Sequence, residues 1–169
     1  MNIDKHIKLL KRNGFVVVNN VFNKYFCNKI IQKLELILLK RIQNKQYVGS
    51  KNTIVLYNYF IENNLLLEKL CHPIIDKFME RLIDKDYVLI SAAARNKKIF
   101  NIDKYKLKSS KVSGNKWHTD NRYLGGKALK PSINYFAIIA LDEFTESNGS
   151  TKYVPKSHLN HKKKNNEQK

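Results

Sequence analysis

The sequence predicts an α+β fold in which helices pack on one face of a mostly antiparallel sheet. Apolar residues recur at helical spacing up to about residue 84 and in short β-prone runs after it. Length and composition agree with this. A chain of 169 residues is one domain's length, and 43% hydrophobic residues are enough for a single packed interior. Expected boundaries are a folded domain over residues 1–160 and a disordered basic tail over 161–169, where Lys-Lys-Lys-Asn-Asn-Glu-Gln-Lys offers nothing to bury.

Ile3, Ile7 and Leu10 share one helical face and Gly14 follows as a stop, after which Phe15-Val16-Val17-Val18 is expected as a short strand. Asn23 is placed to cap the longest helix, which keeps its period through Phe26, Ile30, Ile31, Leu34, Ile37, Leu38 and Ile42 to about Gln43. Between Tyr47 and Phe60 the β-prone run Thr53-Ile54-Val55-Leu56-Tyr57 is compatible with a loop or with a short strand or turn. Further helices are expected over Asn64–Cys71 and from Pro73 through Ile74, Phe78 and Leu82, with proline at a first turn. Then the pattern changes to strands: Tyr87 to Ser91, extending to Ala94; Ile133 to Leu141; and Lys152 to Val154, ended by Pro155. A polar connection over Lys97 to Asn115 and a turn over Glu143 to Gly149 separate them.

A net charge of +18 would ordinarily suggest nucleic acid or an anionic membrane as partner. Here Arg12, Arg41, Arg81, Arg95 and Arg122 are the arginines, and the other basic residues are lysines spread over every segment. That distribution reads as a solvated surface, with the Lys, Asn and Ile bias of an AT-rich coding sequence, so nucleic acid is not expected. No apolar run approaches the ~18 residues of a membrane span. Cys27 and Cys71 lie inside apolar helical patterns, far apart, and are expected as buried thiols of a soluble cytoplasmic protein.

The chemistry lies in Trp117-His118-Thr119-Asp120. On a strand, residues two apart point to the same face, so His118 and Asp120 project side by side while Thr119 turns away. One imidazole and one carboxylate are the donors Fe(II) takes in a two-His, one-carboxylate site that keeps open positions; zinc favours a closed or His-rich set. A lone His-x-Asp is common by chance, and its surroundings give it meaning.

Those surroundings are Ile133-Asn134-Tyr135-Phe136-Ala137-Ile138-Ile139-Ala140-Leu141-Asp142-Glu143, then Asn148-Gly149, then Val154-Pro155-Lys156-Ser157-His158. In this order, behind the tryptophan motif, they closely resemble the phytanoyl-CoA dioxygenase family. That family shows a WHxD strand, an apolar strand ending in a Leu-Asp-Asp-like turn, an Asn-Gly and a Pro-Gly-Ser-His. Gly14 to Val18 and the Asn23 helix are similar to the family's amino-terminal strand and helix, so the resemblance covers about residues 10–161. It implies a double-stranded β-helix (jelly-roll, cupin-like) core, Fe(II), 2-oxoglutarate and O2 as cofactor and cosubstrates, and His118 and Asp120 as metal ligands. His158 matches the Pro-Gly-Ser-His histidine, which the resemblance does not make a ligand and which is expected to stabilise a loop; Lys156 replaces the family's usual glycine. Trp117 is expected to pack beside the first ligand and exclude water.

The family's second metal histidine and its 2-oxoglutarate-binding basic residue lie beyond the Pro-Gly-Ser-His, and nothing after Asn160 resembles the strands that carry them. The jelly-roll is therefore expected to be incomplete: a truncation, a split protein completed by a separate carboxy-terminal fragment, or a degenerate relative, with truncation favoured and negligible 2-oxoglutarate turnover expected of this chain alone. The functional expectation is a dioxygenase (hydroxylase) acting on a small-molecule substrate, with Arg122 and Tyr123 at the pocket mouth. The alternative is a non-catalytic basic interaction protein on a degenerate jelly-roll scaffold.

Overall fold

Asn2 opens the first helix by accepting the Lys5 amide on its side chain at 3.0 Å. In this computed structural model, which describes residues 1–44, 46, 48–50, 53–96, 132, 134–145, 148 and 150–159, helix α1 runs over Ile3–Asn13. Asp4 lies in its first turn, Lys11 and Arg12 in its last, each sign matched to the helix dipole. It ends where expected: Gly14 adopts φ 86°, a left-handed cap open to glycine without strain, and its amide donates to the Leu10 carbonyl at 2.7 Å.

Helix α2 spans Lys24–Gln43 and is capped by Asn23, whose Oδ1 accepts the Phe26 amide at 2.8 Å. Phe22 stacks on Phe26 with centroids 4.8 Å apart, fixing the angle at which the chain enters the helix. The buried side of α2 is the one its spacing predicts: Ile30, Ile37, Leu38 and Ile42 form the core with Ile54, Leu56, Tyr59 and Leu66. Leu36 and Leu39 break the period and are exposed.

The unsettled run over residues 53–57 is a strand. Strands β1 (Val48–Ser50), β2 (Thr53–Tyr57) and β3 (Ala93–Asn96) form an antiparallel sheet in that order. Gly49 pairs with Ile54, and Leu56 with Ala94. Ile54 and Leu56 face the α2 core, yet Val55, on the opposite face, is also only 1% exposed. β2 is thus covered on both sides, which suits a continuous apolar run without alternation. A short 3-10 turn (Tyr59–Ile61) leads to α3 (Asn64–Leu70) and α4 (Pro73–Leu82), the latter with proline in its first turn as expected. α1 packs on α4, where the His6 ring meets Phe78 edge-on at 6.4 Å. No described helix is long and apolar enough to cross a membrane.

The α+β reading and the helix-on-sheet packing hold among the described residues, whereas several expected strands differ. Among the described residues, 15–18 carry no strand pairing, and the run expected from Tyr87 pairs only from Ala93 onward, leaving Val88 and Ile90 exposed. Residues 134–141 and 152–154 also form no ladder among the described residues. β-Propensity is realised only where a partner strand sits at the right register, and among the described residues these four runs have none. The expected turn after Leu141 is present, as Thr145 and Asn148 exchange bonds, amide to Oδ1 at 3.0 Å and amide to Oγ1 at 3.2 Å. Cys27 is buried, but Cys71 is exposed because it caps the end of α3 instead of continuing its buried face.

Candidate metal centre

Trp117, His118, Asp120, Arg122 and Tyr123 lie outside the described residues, so the structure gives no geometry for the predicted ligand pair or the predicted pocket mouth. Its frame is described on both flanks. On one side β3 ends at Asn96, in register with Ile54 at the centre of the sheet. On the other side Leu141 packs against the core cluster.

The described histidines each have another role. His6 donates from Nδ1 to the Asn2 carbonyl at 2.7 Å, since a carbonyl can only accept. His72 precedes α4 and accepts the Ile74 amide on Nδ1 at 3.2 Å, capping that helix. His158 donates from Nε2 to the Lys11 carbonyl at 3.0 Å, as its expected loop-stabilising role requires. Among the described residues no three His, Cys, Asp or Glu side chains gather to hold a metal.

The perturbed titratable groups also have structural causes. Arg41 grips Glu62 with two bonds, Nε to Oε1 at 2.6 Å and Nη2 to Oε2 at 2.7 Å, and donates from Nη1 to the Tyr57 carbonyl at 2.7 Å. The guanidinium bonds hold the Glu62 carboxyl below its usual range. Burial, followed by the Cys71 sulfur, pushes the Tyr59 hydroxyl up. Tyr87 donates to Asp76 at 2.5 Å, and this bond pushes its hydroxyl up to about 12. Partial desolvation and then Asp76 raise the Cys71 thiol, which lines a cleft of about 300 Å³ with Phe22, Phe26 and His72. None of this forms an acid–base or nucleophilic constellation. The Arg41–Glu62 grip was not legible in the sequence, where 21 positions separate the pair and no motif marks it.

The chain matches the family model for phytanoyl-CoA dioxygenase over residues 10–169. It belongs to the phytanoyl-CoA dioxygenase family. No curated protein and no solved structure matches it. Members of the phytanoyl-CoA dioxygenase family have a cupin-type jelly-roll fold and generally use Fe(II), 2-oxoglutarate and O2. The matched span contains the whole Trp117-His118-Thr119-Asp120 motif and runs past Asn160 through the lysine-rich stretch to residue 169. The donor set fits the family's metal: His118 offers a neutral nitrogen and Asp120 a hard anionic oxygen, the mixture that suits Fe(II).

Proposed function

We propose that the protein is an Fe(II)- and 2-oxoglutarate-dependent hydroxylase of the phytanoyl-CoA dioxygenase type, acting on a small-molecule substrate, with His118 and Asp120 as metal ligands. The observation that carries this reading is the family match over residues 10–169, with His-x-Asp in its expected order between β3 and the Leu141 segment. His118 and Asp120 would hold Fe(II), which would supply the chemistry of 2-oxoglutarate decarboxylation to succinate and CO2, one oxygen atom of O2 going to succinate and the other to a substrate C–H bond.

This chain's residues hold and surround that chemistry. His118 binds as the neutral imidazole through one nitrogen, which requires its proton on the other. Asp120 keeps a carboxylate where a smaller residue would leave room for halide, and this favours hydroxylation over halogenation. Trp117 limits water beside the first ligand. Arg122 and Tyr123, two and three positions beyond Asp120, offer a cation and a hydroxyl to an anionic or polar substrate.

Anaerobic titration with Fe(II), with and without 2-oxoglutarate, tests the assignment. Replacing both His118→Ala and Asp120→Ala is expected to weaken Fe(II) binding at least ~10-fold, since even outer-shell partners cost that much at metal sites. 2-Oxoglutarate is expected to tighten Fe(II) binding in the wild type, by the reciprocity of linked ligands, and not in the variant. Equal Fe(II) affinity in the two proteins would overturn the site.

A further inference from the structure

We propose that Tyr153–His158 forms a strap that closes over the carboxyl end of α1, with the His158 imidazole as its catch and Gly14 as the receptacle. The last carbonyls of a helix have no partner within it. In α1 the Leu10 carbonyl is taken by the Gly14 amide, but two others are taken from far along the chain. The Lys11 carbonyl accepts from His158 Nε2 at 3.0 Å, and the Asn13 carbonyl accepts from the Lys156 amide at 2.8 Å. Beside them the Phe15 and Tyr153 rings meet at a tilt of 36° with centroids 3.7 Å apart. Three neighbouring contacts thus join segments separated by 147 positions at the His158 bond.

The receptacle is cut for the ring. A methyl at Gly14 would come to 2.5 Å from His158 Nδ1, 3.1 Å from Cε1 and 3.2 Å from Cγ, so the imidazole lies across the bare α-carbon. Gly14 is required twice, for its left-handed φ of 86° and for this space. One ring nitrogen is bonded and the other is screened. Nε2 carries the proton donated to the Lys11 carbonyl, and Nδ1 is turned toward the bare α-carbon of Gly14. The strap and the end of α1 open and close together, independently of the α2–β2 core, with which these contacts share no residue.

Hydrogen exchange on the full-length protein tests this. His158→Ala is expected to speed exchange at least tenfold in peptides covering residues 10–15 and 153–157 while leaving α2 and β2 unchanged. His158→Gln, which keeps a donor at the end of the side chain, is expected to restore most of the protection. Gly14→Ala should open the same two peptides in the wild type, and add less in the His158→Ala background, where only the φ strain remains. Unchanged exchange in both peptides of His158→Ala, or an equal rise throughout α2 and β2, would overturn the strap, and so would strictly additive effects of the two substitutions.

Discussion

Residues 24–70 and residues 134–159 are both rich in apolar side chains, yet only the first region builds a packed core. In the first, α2, β2 and α3 cover one another, and Leu38 and Leu66 are at most 2% exposed. In the second, Leu141 reaches the core, but Phe136 is 67% exposed and the backbone forms no ladder among the described residues. A helix satisfies its own backbone and needs a neighbour only for one face, whereas a strand needs neighbours for its edges as well. The second region is instead held at particular points, Leu141 on the core and the strap on α1.

The sharpest way to break this contrast is to shorten one apolar side chain in each region. Leu38→Ala should destabilise the protein by about 3 kcal/mol, the lost transfer energy plus the cavity left in a well-packed site. Phe136→Ala should cost less than about 0.5 kcal/mol, the usual result at an exposed position. Urea unfolding with an unchanged slope reads both as midpoint shifts. Comparable losses in the two variants would mean that Phe136 has a packed face of its own and that the contrast is wrong.

The same physics explains which features were legible in the sequence. The helices were readable almost to the residue because their information is local: Asn23 caps, Ile30 to Ile42 keep the period, Pro73 starts and Gly14 stops. The strands were readable as propensity only. Thr53–Tyr57 reads equally as strand or loop in the sequence although it is the best-buried described strand, while Phe15–Val18, with stronger β-branching, pairs with nothing described. Register and partnership depend on residues tens of positions away, as Leu56 opposite Ala94 shows. The proposed ligand pair is read from the sequence alone, because His118 and Asp120 are two positions apart and stand in a recognisable order of neighbours, and it lies outside the described residues. Arg41–Glu62 and the His158 catch are long-range polar contacts and left no periodic trace.

Arg41 gives a middle-sized test, because it closes the first region without belonging to its apolar core. Its side chain is 14% exposed and that of Glu62 25%, so the two-bond pair is partly shielded from solvent. Arg41→Ala should cost about 2 kcal/mol, the range for hydrogen bonds to charged groups, and Arg41→Lys should lie between, keeping the charge but losing the fork. A pH series adds a sign. The Glu62 carboxyl is held below its usual value in the folded protein, so its contribution is complete above the unfolded value and fades as pH falls through the folded one. Wild type and Arg41→Ala should therefore converge in acid. A stability gap that stays constant down to acid denaturation would show that Arg41 acts through its carbonyl bond to Tyr57 and not through Glu62.

The smallest effect belongs to the second region and should be a gain. Lys156 stands where the family usually has glycine, and its φ is 62°. Asn20 and Asn58 also have positive φ, but asparagine tolerates the left-handed region far better than lysine does. Relieving that conformation is worth about 1–2 kcal/mol, against about 0.5–1 kcal/mol for the greater freedom glycine has in the unfolded chain. Lys156→Gly should therefore stabilise the protein by about 0.5 kcal/mol and slow exchange of the amide at position 156, which donates to Asn13. The exchange of α2 should follow only the small global change. A loss of stability instead would mean that the Lys156 side chain contributes more than its backbone strain costs, and the strap would then be held by a contact beyond the His158 catch, the Lys156 amide bond and the Phe15–Tyr153 ring contact.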